Sequence, residues 1–157
     1  MKAASVTLIK KELEHLSEKE KTELILRLAR FKKDNKELLT YLLFESENEF
    51  DYIHTLKRKM EEDFKQINHS QIYFLKKSAR KILRNLKKAI RYSGKKSTEA
   101  ELLIFFCKQM NRFDSALSRS TQLQNIKLKQ MEMAEKAIQT LHEDLQYDLM
   151  KEWREVD

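Results

Sequence analysis

Apolar residues recur every three or four positions along almost the whole chain, which is the spacing of one face of an α-helix. The clearest series has steps of three, three, four, four and three residues and consists of Phe50, Ile53, Leu56, Met60, Phe64 and Ile67. Polar and charged residues fill the positions between them, so the segment has one apolar and one polar face. The pattern predicts an amphipathic helix that packs on a core.

The same periodicity is present in seven segments of the chain. Their apolar positions span residues 8–16, 24–31, 38–43, 50–67, 72–90, 102–110 and 123–145. Only short polar stretches separate them, and short connections place neighbouring helices antiparallel. The chain is therefore predicted to form about seven helices, arranged as an antiparallel bundle or as a short stack of helical hairpins.

Residues that favour helix ends lie between these segments. Ser17 with Glu20 and Thr98 with Glu101 have the spacing of capping boxes, which start helices. Gly94 is predicted to end a helix in the left-handed conformation. Further helix starts are expected at Asp34 or Asn35, Asn48, Ser70 and Asp114.

The composition supports an all-α fold. The chain has 157 residues with one glycine and no proline, so it lacks the residues that tight β-turns need. A chain of this length buries roughly 70% of its unfolded surface, which is enough for a core. We expect a single all-α domain over residues 1–150 and a C-terminal tail over residues 151–157.

The single cysteine, Cys107, excludes an internal disulfide and fits a reducing compartment. It lies in the longest apolar run, residues 102–107, which is far shorter than the ~20 residues that cross a bilayer. The first residues show no hydrophobic signal segment. We therefore expect a cytoplasmic protein without membrane insertion, in which Cys107 is a small buried side chain.

Charge is distributed unevenly along the chain. The formal net charge is +7, and residues 64–98 contain eleven Lys or Arg and no Asp or Glu. Removing these eleven leaves 21 basic against 25 acidic residues elsewhere. Eight of them fall within an arc of about 140° on one predicted helix, opposite its apolar stripe. These eight residues form what we name the basic ridge: Lys76, Lys77, Arg80, Lys81, Arg84, Lys87, Lys88 and Arg91.

The basic ridge has four interpretations. It is a solvated face, partly covered by the chain's own acidic segments at residues 45–51 or 61–63, a docking face for an acidic protein, a phosphate-binding face for nucleic acid, or a membrane-surface contact. Sequence-specific recognition of nucleic acid is disfavoured, because the helix predicted after Gly94 begins with acidic residues and continues with apolar ones. We expect a non-catalytic interaction or adaptor module that presents residues 76–91 to an acidic partner; sequence-independent nucleic-acid binding is the alternative.

No catalytic or metal constellation is evident. Glu12 with His15 and Asp51 with His54 have the carboxylate–histidine spacing of di-iron bundles, but two more inward carboxylates would be needed. A glycine-rich phosphate loop is excluded by the single glycine. We expect no enzyme activity, no cofactor and no metal site.

Residues 16–20, LSEKE, residues 22–28, TELILRL, and residues 35–39, NKELL, resemble the opening of a family of uncharacterised bacterial helical proteins. Residues 78–82 and 101–106 fit the same family pattern more loosely, and the likeness covers about half of the chain. The resemblance implies an all-α, cytoplasmic, bacterial-type protein. It implies no catalytic or binding residues.

Overall fold

A computed structural model describes residues 1–156, which form helices and no strand, so the all-α prediction is confirmed. The α-helices are α1 Val6–Glu14, α2 Glu18–Phe31, α3 Lys33–Thr40, α4 Glu49–Lys65, α5 Ile72–Ser93, α6 Lys96–Met110, α7 Asp114–Arg119, α8 Thr121–Ile138 and α9 Glu143–Arg154. A π-helical turn follows α3 at Tyr41–Glu45, and a 3-10 turn precedes α7 at Asn111–Phe113.

The chain divides into two compact units, Met1–Phe44 and a second that starts at Glu45. In the first unit, α2 begins at the predicted capping box. Ser17 Oγ accepts a hydrogen bond from the Glu20 amide, and the Ser17 amide donates to Glu20 Oε2 at 2.8 Å. Both bonds satisfy amides near the helix start. Two hydrogen bonds from Ser17 hold the pKa of the Glu20 carboxyl below its ordinary value, and the bond from the backbone amide has a larger effect than the bond from the hydroxyl.

The start of α3 differs from the prediction. An N-cap at Asp34 or Asn35 is wrong, because α3 begins at Lys33 and Lys32 is its N-cap. Asn35 Nδ2 donates to the Leu28 carbonyl near the end of α2 at 2.8 Å. This bond satisfies one of the carbonyls that the last turn of a helix leaves open. The side chain expected to start one helix is therefore used to end the other.

In the second unit, α6 is the central helix. Its buried residues include Leu103, Ile104 and Phe106, which lie on different sides of the helix and have no exposed surface. A helix that is apolar all round has to be enclosed, and α4, α5, α8 and α9 pack against it. The Phe106 ring meets the Phe64 ring of α4 at a steep angle, with the ring centroids 5.5 Å apart.

Hydrogen bonds between helices fix their directions in this unit. Tyr52 Oη, near the start of α4, donates to the Ala89 carbonyl near the end of α5 at 2.9 Å. Trp153 Nε1 in α9 donates to the Met131 carbonyl in the middle of α8, also at 2.9 Å. Helices joined by short connections therefore run antiparallel, as the connection lengths predict.

The corner between α5 and α6 is only partly as predicted. Gly94 ends α5 with a φ of +68°, which confirms the left-handed cap. A capping box at Thr98 and Glu101 is wrong, because α6 already begins at Lys96. Thr98 lies inside the helix, and its hydroxyl donates to Glu49 Oε1 of α4 at 2.6 Å. The hydroxyl thus joins two helices instead of starting one.

Of the predicted starts of α4 and α5, the first is confirmed and the second is wrong. Asn48 caps α4 as predicted, and its Oδ1 accepts a hydrogen bond from the Asp51 amide at 3.2 Å. The start predicted at Ser70 is wrong by one residue, because α5 begins at Ile72 with Gln71 as its N-cap.

The long helix predicted to start at Asp114 and continue through residues 123–145 is interrupted. The short helix α7 ends at Arg119, and Ser120 takes an extended conformation with φ −131° and ψ 101°. Ser120 Oγ accepts a hydrogen bond from the Leu123 amide and thereby caps α8. A serine hydroxyl offers the backbone such a partner, which makes a break favourable at this position.

Residues past position 150 continue the second unit up to the end of the described chain. The last helix, α9, extends to Arg154, and Val156 is fully buried. Asn111 Nδ2 donates a hydrogen bond to the Val156 carbonyl. The division into one domain over residues 1–150 and a tail over 151–157 stays a prediction, and residue 157 lies outside the described residues.

Candidate functional site

The basic ridge lies on the outer face of α5. The inner face of α5 buries an apolar stripe: Leu75, Ala79, Ile82, Leu86, Ala89 and Ile90. Because successive residues turn by about 100°, the polar positions between these residues fall on the opposite side. Five cations of the ridge are exposed there: Lys77, Arg80, Lys81, Arg84 and Arg91.

These five exposed cations have no ion-pair or hydrogen-bond partner within residues 1–156. Two glutamates of the acidic segments considered as covers pair with residues other than these five. Glu49 pairs with Lys95 at 3.1 Å, and Glu61 pairs with Arg112 at 3.3 Å. Like charges one turn apart repel each other, and solvent, counterions or an acidic ligand relieve that repulsion.

The remaining three ridge residues, Lys76, Lys87 and Lys88, are half-buried, and the first two face α8. Lys76 Nζ donates to Gln122 Oε1 at 2.6 Å, and Lys87 Nζ lies 3.7 Å from Met133 Sδ. Both pairs are separated by 46 residues, so the two helices run in the same direction. The α8 side of the ridge is therefore a contact between helices, whereas the centre of the ridge is open.

Lys87 is the ridge residue most affected by its surroundings. Partial burial lowers the pKa of its ammonium below the ordinary value of 10.5, and repulsion from Lys129 of α8 lowers it further. Glu99 acts in the opposite direction. Lys129 thus extends the positive surface from α5 onto α8. The sequence contains no signal for this, because the two lysines approach only when α5 and α8 lie side by side.

Replacing Lys87 with methionine is expected to stabilise the fold by at most about 0.5 kcal/mol at neutral pH, because the half-buried stem is kept and a charge that solvent still screens in part is removed. The folded-state pKa of Lys87 is lowered, so its charge opposes folding below that pKa. The gain should disappear as pH rises through the ordinary lysine value, where both states become neutral. Urea denaturation at neutral pH and near pH 10.5 measures this. Lys81→Met, at an exposed position, should change stability little at either pH.

The other two lysines near the end of the acid-free run are paired within the chain. Lys95 pairs with Glu49, and Lys96 pairs with Glu99 at 2.6 Å. Within residues 76–96, the cations without a partner among the described residues therefore lie on the outer face of α5.

An aromatic pair lies at the start of α5. The rings of Tyr73 and Phe74 meet edge-to-face with centroids 5.5 Å apart, and Tyr73 is 61% exposed. Helical periodicity places Tyr73 within the arc of the basic ridge. One end of the ridge therefore combines cations with an accessible aromatic ring.

Among the described residues, those considered for catalysis or metal binding do not come together as a metal-binding cluster. Among residues 1–156, no three His, Cys, Asp or Glu side chains are grouped as a metal ion requires. His54 is exposed and stacks on Phe50, with centroids 6.3 Å apart, and His15 is exposed on the first unit. Cys107 is fully buried, and its Sγ lies 3.6 Å from the Lys127 carbonyl.

A cleft of about 510 Å³ lies in the first unit. Its lining consists of Leu26, Ala29, Arg30, Lys33 and Lys36. This lining provides aliphatic surface and cations but no carboxylate, histidine, thiol or hydroxyl group. It is therefore not arranged for carboxylate- or histidine-based acid–base chemistry.

Comparisons with known protein families, with curated proteins and with solved structures find no match to this chain. The resemblance of residues 16–39 to a bacterial helical family stays a prediction. In the part of the chain that the structure describes, none of the helices has the length and apolar character needed to cross a bilayer.

Proposed function

We propose that this protein is a non-catalytic, cytoplasmic interaction module that presents the basic ridge to an acidic protein partner. The observation that carries the proposal is the set of five exposed ridge cations that have no partner within residues 1–156. Their stripe of apolar neighbours is already used by the core, so the outer face of α5 offers charge and little apolar surface. Complementary charge is the property that such a face contributes to binding.

The dimensions of the ridge define the partner segment that fits it. From Lys77 to Arg91 the helix rises about 21 Å, since each residue adds ~1.5 Å. An acidic helix of about four turns, or a shorter extended acidic segment, spans this distance. Screening acts over ~8 Å at physiological ionic strength, so binding to an exposed ridge should weaken as salt increases.

Sequence-independent binding of single-stranded nucleic acid is the second candidate, and Tyr73 favours it. An exposed aromatic ring beside a row of cations can stack on a base while the cations contact phosphates. Base-specific reading of duplex DNA is not favoured, because α6, the helix after Gly94, is enclosed in the core.

Fluorescence anisotropy separates these candidates. The probes are a labelled polyglutamate peptide of about 15 residues, sized to the ridge, and mixed-sequence single-stranded and duplex oligonucleotides. Each is titrated with the full chain at about 50 mM and 200 mM salt. We expect the peptide to bind at the lower salt concentration, to bind more tightly than either oligonucleotide, and to weaken at the higher concentration.

Each outcome decides between the interpretations. If the single-stranded oligonucleotide binds more tightly than the peptide, with a steep salt dependence, then the partner is nucleic acid and not an acidic protein. Absence of binding by all three probes at the lower salt concentration would overturn both candidates and leave a solvated helix face.

A further inference from the structure

The first unit leaves the apolar faces of its helices open. Tyr41 is the only residue in the range 1–44 that is buried. Nine large apolar side chains of α2, α3 and the following turn are each more than a third exposed: Leu24, Ile25, Leu26, Leu28, Phe31, Leu38, Leu42, Leu43 and Phe44. A unit of this length that buries almost nothing lacks the core that stabilises small folds. Its apolar side chains therefore require a covering surface.

One face of α2 is apolar and exposed. Leu28 is 59% exposed and Phe31 is 75% exposed, and both lie on one face of α2 with Leu24. Exposed apolar side chains on one helix face are the kind of surface that specific interfaces bury, at ~800 Å² from each partner in a stable complex. Large exposed apolar patches on soluble proteins mark interaction sites.

The charge pattern of α2 matches a second copy of itself. Residues 18–23 contain three glutamates and two lysines, for a net charge of −1. Residues 24–31, the rest of α2, contain two arginines and no acid, for a net charge of +2, and Lys32 and Lys33 follow directly after the helix. Parallel pairing of two α2 helices would place the two strongly basic halves together. Antiparallel pairing places each basic half beside an acidic half, and it also opposes the helix dipoles.

We propose that two copies of this chain associate through the apolar face of α2, with the two helices antiparallel about a two-fold axis. In such an interface the same patch is used by both partners, so the charges have to complement themselves. The proposed surface contains no residue of the basic ridge and does not depend on the proposed function.

Sedimentation equilibrium of the full chain at micromolar concentrations tests the association. We expect a dimer for the wild-type chain and a monomer for Leu28→Glu, because a charge at the centre of the face would be desolvated. Leu145→Glu in α9, at a side chain that is 47% exposed, is the matched control and should stay dimeric. A wild-type monomer at tens of micromolar protein, or a Leu28→Glu dimer as stable as wild type, would overturn the proposal.

Charge reversal tests the antiparallel arrangement separately. One variant combines Glu18→Lys with Glu23→Lys and leaves the Glu20 cap intact. The other combines Arg27→Glu, Arg30→Glu and Lys32→Glu. Each variant alone should dimerise at least tenfold more weakly than wild type, and native mass spectrometry of the mixture should show the heterodimer as the main species. A mixture that contains only monomers and homodimers would contradict the arrangement.

Discussion

Reversing the charge of the basic ridge is expected to weaken binding of the acidic peptide on the order of 100-fold at low salt, because complementary charge becomes repulsion. The structure selects the positions that are exposed and unpaired within the described residues. The variant carries glutamate in place of Lys77, Arg80, Arg84 and Arg91. Lys87 is left unchanged because it contacts Met133, and a glutamate at this position would place a carboxylate against α8. Anisotropy titration with the labelled peptide measures the change.

A control variant with the same change in net charge separates the ridge from a general effect of charge. It carries glutamate at four exposed basic positions on other helices: Arg58, Lys59, Lys65 and Lys151. Circular dichroism should show that both variants keep the helical fold. Equal loss of binding in the two variants would mean that the net charge of the protein, and not the basic ridge, attracts the peptide. That result would contradict the proposed function.

Replacing Phe106 with alanine is expected to lower the free energy of unfolding by about 3–5 kcal/mol, the range found for large aromatic side chains removed from a core. Phe106 is fully buried on the central helix and packs against Phe64. Its neighbours belong to helices that are held apart by other contacts, so they can fill the cavity only in part. Urea denaturation followed by circular dichroism measures the loss.

Two further variants keep this prediction testable. Phe106→Leu removes less volume and should unfold with an intermediate loss, which is measurable even where the alanine variant does not fold. Phe50→Ala removes a ring that is 77% exposed and should change stability by less than about 0.5 kcal/mol. A loss for Phe106→Ala no larger than for Phe50→Ala would show that α6 is not the centre of the core.

Helix ends could be predicted where a single residue decides the local geometry. Ser17, Asn48 and Gly94 each act through their own side chain or backbone conformation, and the structure confirms all three. The capping box predicted at Thr98 failed for a tertiary reason, because the Thr98 hydroxyl donates its hydrogen bond to Glu49 of another helix. Ser120 was not singled out, although a serine hydroxyl at a break is a local signal that was available.

The candidate site divides in the same way. Helical periodicity alone separates the inner stripe of α5 from the outer face, so exposure of Arg80 and Arg84 could be anticipated. Which ridge residues contact another helix could not be anticipated, because Lys76 and Lys87 contact residues 46 positions away in α8. The contribution of Lys129 also depends on that approach.

The sequence by itself determined the all-α class, the segments of α2, α4 and α5 and the position of the basic ridge, because each of these follows from interactions between residues a few positions apart. Only the tertiary structure decided that α6 is enclosed by α4, α5, α8 and α9, that Glu49 binds Thr98, and that the first unit leaves the apolar face of α2 open. These features depend on which helices meet, and periodicity states which face of a helix is apolar without stating what covers it.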